Sequence, residues 1–362
     1  MKRKIALLLI LGILFFSFSI QAQQYERATS SMLHLMKDLR EIHSPNGINT
    51  LEEIELNGVK QWVQIRSKDK NNPVLLVLHG GPASPLMPIS WAYQAPWEDF
   101  YTVVHWDQRG AGKNWTTSDT TQLASQIQFR TLIQDAYVLV DSLLSKLEKE
   151  KVWILGYSYG SSLGIRMASR IPGKVHGYIG VGQMAPGKPE ELIYQKLLEL
   201  AEVANDTLAL HELKRIDPYP EAEGSPLKKT LLVRKWARKY NGGWYGKDDF
   251  NLLFSLPYLS SEYTDKEVAS LDQSTPWLTR KILSAAGGGE WPTEFKVPLL
   301  FIMGKNDLHT PFTGAKKYFD QLVSPRKHFV ELPWSGHVPF IEEPGKFLEA
   351  MRSFTQKVNE FD

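Results

Sequence analysis

Short apolar runs alternate with helical patterns along most of the chain. Apolar and polar residues alternate on both sides of Asn57-Gly58, which predicts a β-hairpin over residues 51–65. Continuous apolar runs predict buried strands at residues 74–78, 101–106, 152–155, 178–181, 297–303 and 328–332. Apolar residues at helical spacing predict helices at residues 25–40, 129–147, 161–171 and 344–358. Buried strands that alternate with helices are typical of an α/β fold, with a mostly parallel central sheet and helices on both faces.

The pattern changes in the middle of the chain. Residues 185–291 are rich in Leu, Glu and Lys at helical spacing, with Pro and Gly between the helical stretches, and the strand pattern then resumes. We therefore predict one α/β domain in two parts, residues 23–184 and 292–362. A helical cap formed by residues 185–291 is inserted between them.

The N-terminal residues have the layout of a secretory signal peptide. Three basic residues follow Met1, residues 5–20 are almost wholly apolar, and Gln21-Ala22-Gln23 offers a cleavage site. The sixteen apolar residues are fewer than the roughly 20 that span a bilayer. We predict a signal peptide at residues 1–22 and export to the periplasm or the medium, with no stable membrane insertion beyond this segment. An uncleaved N-terminal membrane anchor is the alternative.

Charge and composition exclude several classes of protein. Without the signal peptide, Lys and Arg fall from 42 to 39 against 40 Asp and Glu, so no basic surface favours nucleic acid. The absence of cysteine excludes disulfides, a thiolate zinc site and a cysteine nucleophile. No His-Glu-x-x-His motif is present. We therefore expect neither a metal nor a cofactor, and the sequence does not indicate an oligomeric state.

A serine lies at the junction of a predicted strand and a predicted helix. The segment Gly156-Tyr-Ser158-Tyr-Gly160 matches Gly-x-Ser-x-Gly, which in this setting is typical of a nucleophile elbow. The turn is tight, so residues two positions away from the serine must be small. Ser158 is therefore the predicted nucleophile.

A serine nucleophile requires a base and an orienting acid. Asp307 follows one apolar run and His337 follows the next, so both belong to loops at the sheet edge that holds Ser158. Asp320 within a helix and Glu331 within a strand are poorer acids. His309 shares the loop of Asp307, which leaves too little reach to bridge the acid and the serine.

Backbone N–H groups must also hold the negative charge that develops on the substrate oxygen. The residue after the nucleophile, Tyr159, supplies one such group. The glycine-containing loop after the run at residues 74–78 is the predicted source of the other, and we assign it to Gly81.

Five segments carry a family resemblance over residues 50–355: HGGP at 79–82, WDQRGAGKN at 106–114, GYSYG at 156–160, GKND at 304–307 and SGH at 335–337. Together they resemble α/β-hydrolases, and in particular the proline-iminopeptidase-like serine hydrolases. The resemblance implies the same triad and makes Asp107 and Arg109 structural residues beside the site. In physical terms we expect these two side chains to form a buried ion pair rather than to act as catalysts. Ala83, Tyr157, Tyr159 and Asn114 depart from the usual family motifs; they leave the triad intact and bear on the preference for proline.

The predicted reaction is acyl transfer to water, with a small molecule or short peptide as substrate. An exported aminopeptidase that releases N-terminal residues is the first interpretation; an esterase or lactonase, or a non-catalytic binding protein, are the alternatives. An aminopeptidase must bind a free ammonium group, which requires carboxylates when buried. The predicted candidates in the cap are Glu190, Glu191, Glu262 and Asp265.

Overall fold

The computed structural model describes residues 31–221, 225–248, 250–284 and 289–359. The predicted signal peptide at residues 1–22 lies outside these ranges. Within them, no helix is both long enough and apolar enough to cross a membrane.

The centre of the molecule is an eight-stranded sheet. Its strands are β1 Ile48–Leu56, β2 Val59–Ser67, β3 Val74–Leu78, β4 Thr102–Trp106, β5 Val152–Tyr157, β6 Val175–Val181, β7 Leu299–Gly304 and β8 Lys327–Leu332. They lie in the order β1-β2-β4-β3-β5-β6-β7-β8, and the two pairs that involve β2 are antiparallel while the others are parallel. The predicted hairpin and the predicted strands are confirmed to within a few residues.

Helices follow the strands and complete the fold. The described part of α1 covers residues 31–39. The other helices are α2 Lys113–Thr117, α3 Thr120–Gln126, α4 Phe129–Leu147, α5 Tyr159–Arg170, α6 Pro189–Val203, α7 Thr207–Lys214, α8 Leu227–Lys239, α9 Asn251–Ser255, α10 Asp265–Ser284, α11 Phe312–Gln321, α12 Pro339–Glu342 and α13 Pro344–Asn359. Short 3-10 helices lie at Met87–Ala92, Trp97–Asp99, Pro172–Lys174 and Leu256–Leu259.

Both faces of the sheet are buried because its central strands are apolar on both sides. In β3, Leu76 belongs to the same buried cluster as Leu163 of α5. Its neighbour Leu75 points to the opposite face and belongs to the cluster that contains Phe347 of α13. Successive strand residues alternate between faces, so a continuously apolar strand packs against helix layers on both sides.

The inserted helices α6–α10 lie in the chain between β6 and β7 and form the cap. Helices α6, α7 and α8 bury their own cluster, which includes Leu197, Leu213 and Trp236. Helix α10 instead contributes Leu278 to the main core. The cap is therefore partly an independent layer and partly an extension of the α/β core.

Charged side chains join the cap to the core. Lys113 Nζ lies 2.8 Å from Glu267 of α10, and Arg40 Nη1 donates to Glu262 at 2.7 Å. The Tyr263 hydroxyl donates to the buried carboxylate of Asp107. Residues 262–267 are therefore held at three points.

The prediction of an ion pair between Asp107 and Arg109 is wrong. Arg109 instead forms two hydrogen bonds, of 2.7 and 2.9 Å, with Asp135 of α4. Asp107 accepts from the backbone N–H of Lys113 at 2.9 Å and from Tyr263. Asp107 and Arg109 lie two residues apart on a turn. Their side chains point in different directions, and each binds a partner on a different element.

Candidate active site

Ser158 occupies a sharp turn between β5 and α5. Its backbone has φ 51° and ψ −121°, a strained conformation for a residue with a side chain. A Cβ atom at Gly160 would overlap the carbonyl oxygen of Leu78, and one at Gly156 would come within 2.6 Å of Ser161 Cα. The prediction that the flanking residues must be small is therefore confirmed, for the reason given: the turn leaves no room.

The loops after β7 and β8 bring the predicted acid and base to this serine. His337 Nε2 lies 3.0 Å from Ser158 Oγ, and His337 Nδ1 lies 2.8 Å from Asp307 Oδ2. The three side chains form one hydrogen-bonded chain, although 179 positions separate the serine from the histidine.

Asp307 is buried, and its environment favours the ionised form. The backbone N–H groups of His309 and Thr310 donate to Oδ1 at 2.8 and 2.9 Å, and the Thr310 hydroxyl donates to Oδ2 at 2.8 Å. Burial alone would raise the pKa of Asp307, but attraction to His337 and these hydrogen bonds lower that pKa below its usual value. A carboxylate held in this way can orient the imidazole and stabilise its cation.

The loop that follows β3 lies directly against the serine. A Cβ atom at Gly80 would come within 2.8 Å of Ser158 Cβ. Gly81 has φ 108°, which a side chain would not tolerate. Gly81, Tyr159 and Ser158 line one common cavity, so the two predicted N–H donors belong to the immediate surroundings of the hydroxyl.

Two cavities meet at the serine and the histidine, and both are bordered by Gly81 and His309. The larger, of about 500 Å³, we call the apolar cavity. Its walls include Leu86, Ile89, Leu253, Phe254, Val268 and Leu271. The smaller, of about 290 Å³, we call the polar cavity, and its walls include Gln183, Glu190, Arg234 and Thr310.

Of the four cap carboxylates predicted as candidates for substrate binding, one lies at the site. Glu190 borders the polar cavity, where Arg234 and the Tyr219 hydroxyl donate to it. Among the described residues, neither cavity is lined by Glu191, Glu262 or Asp265. Glu191 is 47% exposed and pairs with Lys188.

The substrate-binding prediction for Glu262 does not agree with the structure. Its buried carboxylate is bound to Arg40. Arg40 comes from the N-terminal end of the described chain, far away in sequence, so nothing near Glu262 in sequence indicated this partner.

Two residues at the site were not among the predicted site residues. Asp272 of α10 is exposed at the wall of the apolar cavity, with no ion pair or hydrogen bond to another described residue. The ring of His309 stacks on that of His337, with centroids 5.0 Å apart. In the sequence analysis, we rejected His309 as the base. Its position two residues after Asp307 was the signal in the sequence that it lies at the site.

Metal-binding side chains do not cluster at the site or elsewhere in the described ranges: no group of three or more His, Cys, Asp or Glu residues is placed to hold a metal ion. The arrangement offers a hydroxyl, an imidazole, a carboxylate and backbone N–H groups.

Comparison with known proteins agrees with this fold. The family model described as alpha/beta hydrolase fold matches residues 73–344. The chain belongs to the α/β-hydrolase family. A probable aminopeptidase of Bacillus subtilis (strain 168) is 29% identical over 316 residues, which cover 86% of this chain and 97% of that protein. A proline iminopeptidase of Lactobacillus helveticus is 21% identical over 313 residues, covering 84% and 96% of the two chains.

Solved structures of α/β-hydrolases share the same fold. The crystal structure of proline iminopeptidase from Mycobacterium smegmatis superimposes with a TM-score of 0.56 and 17% identity, covering 85% of this chain and 98% of that one. The resemblance to α/β-hydrolases and the fold class, including the inserted helical cap, are thereby confirmed.

Proposed function

We propose that this α/β-hydrolase is a serine aminopeptidase that releases N-terminal residues from short peptides, in the manner of a proline iminopeptidase. The observation that carries the proposal is the hydrogen-bonded chain from Ser158 through His337 to Asp307, at the point where both cavities meet. The aminopeptidase and proline iminopeptidase names of the relatives support the choice of a peptide bond.

The proposed reaction follows from the positions of these groups. His337 Nε2 removes the proton of Ser158 Oγ as the oxygen attacks the substrate carbonyl, and Asp307 stabilises the imidazolium. The N–H groups of Gly81 and Tyr159 stabilise the oxyanion. His337 then protonates the leaving amine, and a water molecule hydrolyses the acyl-enzyme by the same steps.

The ammonium group of the substrate requires a carboxylate in or near the cavities. Asp272 borders the apolar cavity and has no partner among the described residues, whereas Glu190 already accepts from Arg234 and Tyr219. Asp272 is therefore the first candidate for binding the ammonium, and Glu190 is the second.

A carboxylesterase or lactonase is the second candidate function. The observation that favours it is the apolar cavity itself, because its aliphatic and aromatic walls would also accept the acyl chain of an ester. Both functions use the same triad and differ in the bond that is cleaved.

Aminoacyl arylamides, their N-acetylated forms and p-nitrophenyl esters of simple acids would distinguish the two. An aminopeptidase hydrolyses the free-amine arylamides and loses turnover when the amine is blocked. If free arylamides are inert while the esters are hydrolysed, the aminopeptidase proposal is wrong and the esterase proposal stands. Ser158→Ala protein prepared in parallel controls for contaminating hydrolases.

We also propose that the enzyme acts outside the cytoplasm, on the basis of the basic and apolar pattern of residues 1–22. N-terminal sequencing of protein purified from an expressing cell is expected to begin at residue 23. Retention of residues 1–22 in a membrane fraction would support the anchored alternative instead.

A further inference from the structure

His309 is an imidazole at the site that the reaction above does not use. Its ring lies at 20° to that of His337, with the centroids 5.0 Å apart. Phe250 of the cap packs edge-on against it at 5.2 Å. The His309 backbone N–H is tied to Asp307 Oδ1 at 2.8 Å, so the loop that holds the acid also fixes this ring. His309 contributes to the walls of both cavities.

Neither ring nitrogen of His309 has a hydrogen-bond partner among the described protein groups. Nε2 is buried, whereas Nδ1 is not among the buried unpaired atoms and so keeps accessible surface. Once a substrate fills the cavities and displaces water, leaving Nδ1 without a partner costs free energy, so this nitrogen then requires a hydrogen-bond donor. The neighbouring polar side chains are already engaged. The Thr310 hydroxyl donates to Asp307, and Glu190 is bound by Arg234 and Tyr219. A substrate in the cavities can reach Nδ1, which keeps accessible surface, and can supply the partner that this nitrogen lacks.

The charge state of His309 makes it a hydrogen-bond acceptor. Burial, followed by repulsion from His337 and Arg234, lowers the pKa of His309 to about 3. The ring is therefore neutral wherever the enzyme works, and one of its two nitrogens carries a lone pair. It remains neutral when His337 becomes a cation during the reaction.

Amide and ester substrates differ at the atom next to His337. When the serine has added to an amide, the lone pair of the departing nitrogen must point towards His337 Nε2 to receive the proton. The N–H of that nitrogen then points into the wall of the site, where leaving it without an acceptor is costly. The departing oxygen of an ester carries no hydrogen and has no such requirement.

Given the aminopeptidase function proposed above, we propose that His309 is a further catalytic residue that accepts a hydrogen bond from the N–H of the scissile amide. The proton that cleaves the bond still moves from His337 Nε2 to the departing nitrogen as the carbon–nitrogen bond breaks. His309 keeps its own proton throughout. Its hydrogen bond holds the departing nitrogen in the orientation in which that nitrogen receives the proton from His337. The contribution of His309 is therefore specific to amides.

The test is a matched pair of substrates: the p-nitroanilide and the p-nitrophenyl ester of one amino acid. The quantity compared is kcat/KM, which reports on the steps up to acylation of the serine. His309→Phe keeps a flat ring against His337 but removes the acceptor. We expect it to lower kcat/KM for the anilide by about 10- to 100-fold, the cost of leaving one polar group unpaired. The value for the ester should change little.

Control variants separate this role from a structural one. His309→Gln retains a carbonyl acceptor and should restore part of the anilide activity. Phe250→Leu disturbs the same ring stack without removing a polar atom, and should affect both substrates equally. His309→Leu tests the same ratio if the Phe variant does not fold.

Equal losses on anilide and ester in the His309→Phe or His309→Leu variant would overturn the inference and leave the aminopeptidase proposal standing. If the wild-type enzyme cleaves the ester but not the anilide, both the role of His309 and the aminopeptidase proposal are wrong. This measurement requires no variant.

Discussion

The sheet edge and the cap hold their charged groups in different ways. At the sheet edge, Ser158, Asp307 and His337 follow β5, β7 and β8 and bond to one another. In the cap, two of the predicted carboxylates are paired with arginine side chains, Glu190 with Arg234 and Glu262 with Arg40.

Topology explains this difference. The carboxyl ends of neighbouring parallel strands meet at one edge, so residues far apart in sequence come together whenever the sheet forms. Helices with polar faces impose no such convergence, and their ion pairs depend on how each helix packs. The convergence of the three candidate catalytic side chains therefore depends on the sheet, and the pairing of the cap carboxylates depends on how the cap helices pack.

The strongest test of the sheet edge is Ser158→Ala. We expect hydrolysis to fall by several orders of magnitude, on the order of 10⁶ as in a comparable protease, because the nucleophile is removed. Initial rates on the best substrate of the panel measure this, and circular dichroism verifies the fold. Ser169→Ala, on the helix that follows Ser158, is the matched control and should retain activity. Comparable activity in the two variants would refute the serine mechanism.

Glu262→Gln tests whether this cap carboxylate is structural. The change leaves the buried guanidinium of Arg40 without its counter-charge, which we expect to lower the free energy of unfolding by about 3–5 kcal/mol. Urea denaturation measures this free energy of unfolding. The KM for free-amine substrates should stay close to the wild-type value. Glu191→Gln, at an exposed position, should change stability little. A large rise in KM with unchanged stability would instead support the prediction that Glu262 binds substrate.

Asp107 lies at the junction of the two regions and should make stability depend on pH. Burial raises the pKa of Asp107 to about 7 despite the hydrogen bonds from Tyr263 and Lys113. The folded state therefore binds this proton more tightly than the unfolded state, in which the pKa is near its usual 3.8. The stabilisation is complete at low pH and is lost as the pH rises through about 7.

Asp107→Asn removes this titration. Between pH 5 and pH 8, we expect the fall in unfolding free energy to be smaller in the variant by on the order of 2 kcal/mol. Urea midpoints and slopes at the two pH values measure the difference. An identical pH dependence in wild type and variant would show that Asp107 does not titrate in this range.

Gly160→Ala tests the close packing that holds the serine. A Cβ atom there would overlap the carbonyl of Leu78, so we expect a loss of about 1–3 kcal/mol in stability together with reduced activity. At Gly173 an added Cβ would meet no atom within 4 Å, so Gly173→Ala is the matched control. Thermal unfolding of both variants checks this expectation, which fails if they are equally stable.

Asp272→Asn tests whether a carboxylate of the cap binds the substrate. If this carboxylate binds the substrate ammonium, KM for free-amine arylamides should rise by roughly tenfold, as for a lost charge-assisted hydrogen bond, with kcat nearly unchanged. N-acetylated substrates or esters without an amine should show no effect. Should Glu190→Gln raise KM while Asp272→Asn does not, Glu190 is the ammonium site.

Much of the fold could be predicted from local patterns in the sequence. Continuous apolar runs predicted the strands of the parallel sheet, and Gly156 and Gly160 around Ser158 predicted the tight turn with its steric reason. The order of Ser158, Asp307 and His337 along the chain predicted their meeting, because each follows a strand of one sheet.

The amino-acid sequence by itself determined the sheet, the inserted cap and the candidates for the reacting groups, since apolar periodicity and glycine sterics are local properties. Only the tertiary structure decided which charged groups pair, Arg109 with Asp135 and Arg40 with Glu262, and which hydroxyl donates to Asp107, that of Tyr263. It also brought Asp272 and the ring of His309 to the cavities. Ion pairs and cavity walls join side chains from distant segments, and their energies depend on distance and burial that no local pattern specifies.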